Sequence, residues 1–420
     1  MRKTLLLPIF LCVLLAPALA GENAPAQSVP VLGDESVISV ITQDPGREIY
    51  LSFGHSAIRV RDDAQGIDVL FNYGVFSASS LSDPMFIPRF LHGELDYMLY
   101  PFSFSQETEY DLKTQNRVWY EQVLNLDVGE RNRLFRFLVW NAQPENCVYR
   151  YDFIKDNCAT RVMDAFDKGL GPVIDFSAWK PATGRFTFRG LIDEKLDARP
   201  AWQLTLDLLL GSASDKKMTP RESMYMPSYL MDILARATIR HGDLDEPLVV
   251  SSAKVLDPAS PADYSSRALN PNFILWPLAV LAIVAAILEL LARSGPRSLA
   301  KVSGVMKVLD SVFFVALGLL GCLVFYLAFL STHAATKGNL NVLFLLPTNL
   351  IAPFLIFSRK RRSPLSWYWL AVAILAALPL LLLPVWPQYV NPMMIPLLII
   401  IAVRALSIFA GKRQTVRGDA

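Results

Sequence analysis

Apolar and polar positions follow two regimes along this chain. Over residues 21–240 they mix on the short periods of water-exposed strands and helices, while from Asn272 onward the sequence is mostly apolar. The first regime predicts an α+β domain and the second a set of membrane helices. Five apolar stretches, 273–292, 311–331, 340–357, 367–385 and 390–409, each approach the roughly 20 residues that cross a bilayer as a helix. They make 272–410 a transmembrane domain with a short tail, 411–420. Between the regimes, residues 241–271 are rich in Pro, Ser, Asp and Ala without a sustained period, and read as a linker.

Inside the first regime, 37–42 is rich in β-branched residues. Residues 55–60 alternate before a turn at 62–66, and 68–76 returns as a hairpin partner. Helical patterns follow at 104–118 and 129–141. The strongest helix runs from 157 to 168. Asp156 or Asn157 can cap it, Ala159, Val162, Met163 and Phe166 share one face, and Gly169 suits its end.

Composition and charge add the compartment. Of the 420 residues, 53% are hydrophobic and 19% charged, less charge than a soluble chain normally carries. The formal net charge of +2 gives no argument for a nucleic-acid partner, and none is expected. The positive charge sits late: Arg293, Arg297, Lys301 and Lys307, then Arg359, Lys360, Arg361 and Arg362, then Lys412, Arg413 and Arg417. The loops 332–339 and 386–389 carry only Lys337. The positive-inside rule places the basic loops in the cytoplasm, so five spans put the α+β domain outside. The N-terminus agrees, with Arg2 and Lys3, an apolar run over 4–15 and Ala18-Leu19-Ala20. It reads as a signal peptide, 1–20, leaving an exported domain over 21–240. Trp276, Trp367 and Trp386 read as interfacial anchors.

Four cysteines are present; Cys12 leaves with the signal and Cys322 lies in an apolar stretch. Cys147 and Cys158 remain in an oxidising compartment, where a disulfide is one reading. A strand over the residues between them would hold the sulfurs too far apart to bridge. The other reading is catalytic. Cys158 falls in the first turn of the 157–168 helix, where free N–H groups and the dipole favour a thiolate. A nucleophilic thiol needs an adjacent base. The exported region offers His55, His92 and His241. His241 falls in the linker stretch, whereas His55 follows Gly54 at the start of a strand, where close backbone approach suits a residue facing a helix end. Residue types alone leave both readings open. No Cys/His spacing suggests a metal and no glycine-rich phosphate loop is present, so neither a metal nor a cofactor is expected.

Ordered motifs add to this. Phe53-Gly54-His55-Ser56, Phe71-Asn72-Tyr73-Gly74-Val75-Phe76 and the run from Tyr151 through Asp156-Asn157-Cys158-Ala159-Thr160-Arg161 resemble the motifs of the Lnb-type periplasmic domain. So do Phe188-Arg189-Gly190, Trp202 and Leu210-Gly211, and the resemblance covers most of 35–237. His333 with Asn339-Leu340-Asn341 and Pro347 resembles the membrane half attached to such domains. The resemblance implies a papain-like, permuted NlpC/P60-like α+β domain related to LRAT-type enzymes, followed by an all-α membrane domain of five helices. It also implies a lipoprotein N-acyltransferase of the bacterial inner membrane with its catalytic domain in the periplasm. The donor would be a phospholipid and the acceptor the lipidated N-terminus of a lipoprotein.

His55 and Cys158 match the family's base and nucleophile. Asn72 is the first candidate to fix the imidazole, because the hairpin brings it opposite the His55 strand, and Tyr73 is the second. His333, Asn339 and Asn341, in an extracytoplasmic loop, are candidates for substrate binding. His92 and Glu94 read as surface residues that could also line a cleft. The competing readings are a cysteine lipid hydrolase, a cell-wall peptidase of the NlpC/P60 type, and a non-catalytic envelope module with a structural Cys147–Cys158 disulfide.

Overall fold

The computed structural model of the protein describes residues 29–76, 83–181, 186–259, 261, 269–292, 300–358 and 365–414. The expected signal peptide, the basic residues Arg293, Arg297, 359–362 and Arg417, and most of the C-terminal tail lie outside the described residues. The chain forms two compact units. One combines the residues before Thr183 with Met218–Ala262; the other combines Thr183–Lys217 with the chain from Asp263 onward.

The first unit is built on an antiparallel sheet. Its strands are β1 (Val37–Gln43), β2 (His55–Asp62), β3 (Ile67–Val75), β4 (Asp96–Ser103), β5 (Trp119–Leu124), β6 (Val148–Arg150) and β10 (Val249–Leu256), in the order β10-β5-β1-β2-β3-β4-β6. The expected hairpin is present. Gln43 pairs with His55 and Val37 with Arg61 in β1–β2, and β3 returns against β2 with Ile58 opposite Phe71. The β2–β3 turn closes where Asp62 accepts from the Gln65 N–H and Gly66 takes φ +63°, a left-handed position that favours glycine. Both faces of these strands are covered, for the neighbours Val40 and Ile41, and Ala57 and Ile58, are wholly enclosed along with Ile38, Val60 and Leu70.

Four helices of this unit are α1 (Phe86–His92), α2 (Phe104–Thr114), α3 (Val128–Asn141) and α4 (Cys158–Gly169). The predicted face of α4, Ala159, Val162, Met163 and Phe166, is buried. Gly169 serves differently from a left-handed cap. A Cβ there would lie 2.8 Å from Leu134 Cδ1, so its absence lets α4 approach α3.

The linker expected over 241–271 is corrected in its first half. β8 (Thr238–His241) and β9 (Leu244–Pro247) form a hairpin on β7 (Ile174–Asp175), and β10 pairs with β5 at the edge of the main sheet. His241 lies in β8, its ring nitrogens each 3.0 Å from a carboxylate, Glu130 and Glu246. β10 escapes sequence reading because most of its side chains are exposed and its backbone ladder, not burial, holds it.

The second unit contains α5 (Phe188–Leu196), α6 (Pro200–Leu209) and the apolar helices. α5 and α6 were expected in the exported domain; they pack in this unit through charge. The Arg189 guanidinium is wholly buried and every nitrogen of it has a partner. Nε bonds Asp215 at 2.7 Å, one terminal nitrogen bonds Asp207 Oδ1 at 2.7 Å, and the other bonds the Leu210 and Gly211 carbonyls at 3.1 and 3.0 Å. Asp207 then accepts from the Asn391 amide at 2.7 Å. Burying such a charge is tolerated only when it is paired and fully hydrogen-bonded. Gly211 donates its N–H to the Ala335 carbonyl at 2.9 Å, and any Cβ on Gly211 would overlap the Lys337 carbonyl.

Among the described residues, four apolar stretches are long enough to cross a membrane, Asn272–Ala292, Ser303–Leu330, Leu340–Phe357 and Pro392–Lys412, with a shorter fifth, Ser366–Leu381. They contain α7 (Asn272–Ala292), α8 (Ala300–Phe325), α9 (Ala352–Phe357), α10 (Leu365–Leu381) and α11 (Ile395–Gln414). The third stretch is not a continuous α-helix, since 3-10 turns at Leu340–Leu343 and Pro347–Ile351 precede α9. Irregular backbone at that depth must be covered by protein. Gly318 provides the approach, because a Cβ there would lie 2.7 Å from the Leu350 nitrogen. Elsewhere Arg404 of α11 bonds Asp310 of α8 at 2.8 Å and Glu289 of α7 at 3.1 Å, pinning three helices with one buried cation.

Candidate active site

Cys158 is the first residue of α4, and its position is set by the residue before it. The Asn157 side chain accepts from the N–H groups of Ala159 and Thr160 at 2.9 and 3.0 Å, and Thr160 Oγ1 accepts from the Asn157 N–H at 2.8 Å. The Asn157 amide also donates to the Phe153 and Tyr225 carbonyls, both at 2.8 Å. A helix start held at so many points cannot fray, and a side chain in its first turn keeps its direction. Asp156, the alternative cap, pairs instead with Arg161.

Opposite stands His55, the first residue of β2. Gly54 before it takes φ +77°, and a Cβ there would lie 2.7 Å from the Gln43 carbonyl, so only glycine lets the strand begin so close to β1. His55 Nε2 lies 2.5 Å from Asn72 Oδ1. A carbonyl oxygen only accepts, so Nε2 carries the hydrogen and Nδ1 is left for the Cys158 thiol. Asn72 thus fixes tautomer and ring together.

The electrostatics of the pair are mutual. Burial alone would raise the Cys158 thiol, but the His55 charge, their hydrogen bond and the N–H groups of Ser56 and Ala159 carry it below its ordinary value. Burial would likewise lower the His55 imidazole, and the Cys158 charge with the hydrogen bonds to Cys158 and Asn72 carries it above. Each group's charge therefore favours the charged form of the other, against the cost of burial. Cys147 and Cys158 are both free thiols, which overturns the disulfide reading.

Two residues that sequence reading did not single out complete the site. Gly74 takes φ +89° at an irregularity where β3 pairs with β4. A Cβ on it would lie 3.8 Å from Cys158 Cβ, 3.9 Å from His55 Cε1 and 3.9 Å from the Tyr149 hydroxyl. That point is ringed by nucleophile, base and phenol. The Tyr149 hydroxyl is buried and has no hydrogen-bond partner among the described residues. Burial first, then the Cys158 charge, push the phenol well above its usual range, so it keeps its proton as a donor. Arg161 lies over the Tyr149 ring, 4.2 Å from its centroid. Tyr149 reaches the site because β6 pairs with β4, a contact distant in sequence that no local pattern announces.

The other predicted site residues lie elsewhere. The Tyr73 hydroxyl donates to Asn141 Oδ1 at 2.8 Å, so Tyr73 does not hold His55. Neighbours on a strand point to opposite faces, and Asn72 takes the one that reaches the imidazole. Asn339 and Asn341 are corrected as substrate-binding candidates. Both are buried, with the Asn339 amide on the Leu208 and Leu209 carbonyls at 2.9 Å and the Asn341 amide on those of Asp207 and Leu208 at 3.1 Å. They satisfy the carbonyls that end α6. His333 is half-buried and opens the 3-10 turn Ala334–Thr336 of the second unit. His92, the last residue of α1, and Glu94 form a partly exposed pair at 3.6 Å.

Residues 33–190 match the family of the Lnb N-terminal periplasmic domain, and residues 263–415 match the Lnb transmembrane domain. This chain belongs to the Lnb-type family. It is a membrane protein with a periplasmic part, and His55, Asn72, Tyr149 and Cys158 all fall in the Lnb periplasmic match. No curated protein and no solved structure matches the chain. The Lnb periplasmic match ends beside Arg189, so its last residues belong to the unit that holds the Lnb transmembrane helices.

Proposed function

We propose that this Lnb-type protein is a lipoprotein N-acyltransferase of the bacterial inner membrane. It moves an acyl chain from a phospholipid, through a thioester on Cys158, to the α-amine of a lipidated N-terminal cysteine. The reading is carried by the Cys158–His55–Asn72 arrangement, a free thiol at a helix start hydrogen-bonded to a base whose tautomer is fixed. A membrane unit in the same chain supports lipid as the substrate class.

The chemistry follows from the geometry. The Cys158 thiolate attacks the ester carbonyl while His55 holds the thiol's proton at Nδ1. The carbonyl oxygen becomes an oxyanion, for which the unspent Tyr149 hydroxyl is the nearby donor. The carbon–oxygen bond breaks, the lysophospholipid leaves with the proton from His55, and a thioester remains. The incoming amine then attacks, His55 takes its proton, and the thiolate departs as the amide forms. No step requires a metal or cofactor.

The deciding experiment follows the fate of the acyl chain. Full-length protein in vesicles with acyl-labelled phospholipid is incubated with and without a diacylated lipopeptide. The proposal expects label on the peptide amine when acceptor is present. Label released only as free fatty acid would make the protein a lipid hydrolase, and cleavage of cell-wall peptide with no lipid turnover would make it a peptidase.

A further inference from the structure

This inference rests on the acyltransferase reading and asks how a lipid ester reaches Cys158. A run of aromatic rings leads away from the thiol. Tyr149, whose hydroxyl reaches the site beside Cys158, is paired with Tyr97 across β4 and β6, and Tyr97 stacks on Tyr151 with ring centroids 4.3 Å apart and planes at 28°. Tyr97 meets Phe76 edge-on at 5.5 Å, and Phe76 meets Phe86 at 6.2 Å. Phe86 is the first residue of α1.

α1 does not bury an apolar face in the way a short surface helix should. Met85 is 50% exposed, Ile87 59% and Phe90 48%. Ile87 and Phe90 are three apart and lie on one side of the helix. The charged neighbours border this side rather than cover it: Arg89 lies 3.3 Å from Asp83, and His92 lies 3.6 Å from Glu94. Gly93 ends the helix at φ +83° and returns the chain to β4, so the exposed face is tied to the strand that carries Tyr97. An apolar face rimmed by charge and joined by rings to a nucleophile suits hydrocarbon with a polar head beside it.

We propose that α1 is a lip set into the periplasmic surface of the bilayer, with Ile87 and Phe90 among the acyl chains. Phe86, Phe76, Tyr97 and Tyr151 then guide the acyl ester of a membrane phospholipid to Cys158.

Two arms test it on the full-length chain in nanodiscs of phosphatidylethanolamine and phosphatidylglycerol. In the first, Ile87→Cys in a C147S/C158S/C322S background carries an environment-sensitive fluorophore, and a phospholipid spin-labelled high on its acyl chain serves as quencher. Insertion to the headgroup–acyl boundary expects roughly half the emission to be quenched. In the second, the I87D/F90D variant should acylate Cys158 from vesicle phospholipid about tenfold more slowly. Its acylation by a soluble short-chain activated ester should stay within about twofold. Unquenched emission, an equal loss on both donors, or no loss on phospholipid would overturn the lip, whether a protein partner or solvent covers α1 instead. A wild-type protein whose Cys158 takes acyl from the soluble ester and never from phospholipid would sink the acyltransferase reading, while the quenching arm still judges α1.

Discussion

Two clusters of buried polar groups, one in each unit, look alike in sequence and differ in what they leave over. Around Arg189 every guanidinium nitrogen, both Asp207 oxygens and the amides of Asn339, Asn341 and Asn391 have partners. Around Cys158 the Tyr149 hydroxyl is buried with no hydrogen-bond partner among the described residues. A closed network holds a fold; an open one retains hydrogen-bonding capacity for a reacting group. Polar motif residues are therefore not functional because they are polar. Capacity left unspent beside a nucleophile distinguishes the site.

The comparison can be broken at either cluster. His55→Ala should slow thioester formation on Cys158 by about 10⁴-fold, read by single-turnover mass spectrometry. Retention within tenfold would remove the base. Arg189→Ala should cost the membrane unit about 3–5 kcal/mol in reversible unfolding in micelles, since it strands Asp207 without its cation. A change below about 1 kcal/mol would mean the network is not closed. Tyr149→Phe should lower the rate of Cys158 acylation by about 10²-fold with little change in KM, the pattern of an oxyanion donor. Asn341→Ala should cost about 1–3 kcal/mol of stability and leave KM for phospholipid unchanged. A raised KM without lost stability would return Asn341 to the substrate.

The smallest effect is a shift in pH dependence. Despite burial, the His55 charge lowers the thiol and the Cys158 charge raises the imidazole. Alkylation of Cys158 should thus rise with pH through a midpoint below that of an ordinary thiol, and His55→Ala should move the midpoint upward. An unmoved midpoint would show that His55 does not act on the sulfur.

Much of the site was legible because it rests on local rules. β-Branched alternation gave β1 to β3, and the run from Asn157 gave a capped helix with Cys158 in its first turn. Gly54 implied the close approach that the Gln43 carbonyl requires. What stayed hidden depends on partners distant in sequence. Tyr149 matters only because β6 pairs with β4 and brings the phenol beside Gly74. Asn339 and Asn341 read as loop residues until the α6 carbonyls, some 130 residues earlier, arrive to take their amides. β10 carries exposed side chains, so its pattern resembled a linker. The third apolar stretch met the length of a membrane helix, yet its 3-10 turns left no trace in hydropathy.

The central claim is that Cys158 carries the acyl chain. The most direct measurement is the mass of the Cys158 peptide after full-length protein meets labelled phospholipid, quenched in acid before and after diacylated lipopeptide is added. The account predicts an acyl thioester on Cys158 that hydroxylamine removes and that disappears as the lipopeptide amine gains the label. Acyl transfer to the lipopeptide with Cys158→Ser protein at an undiminished rate would contradict it.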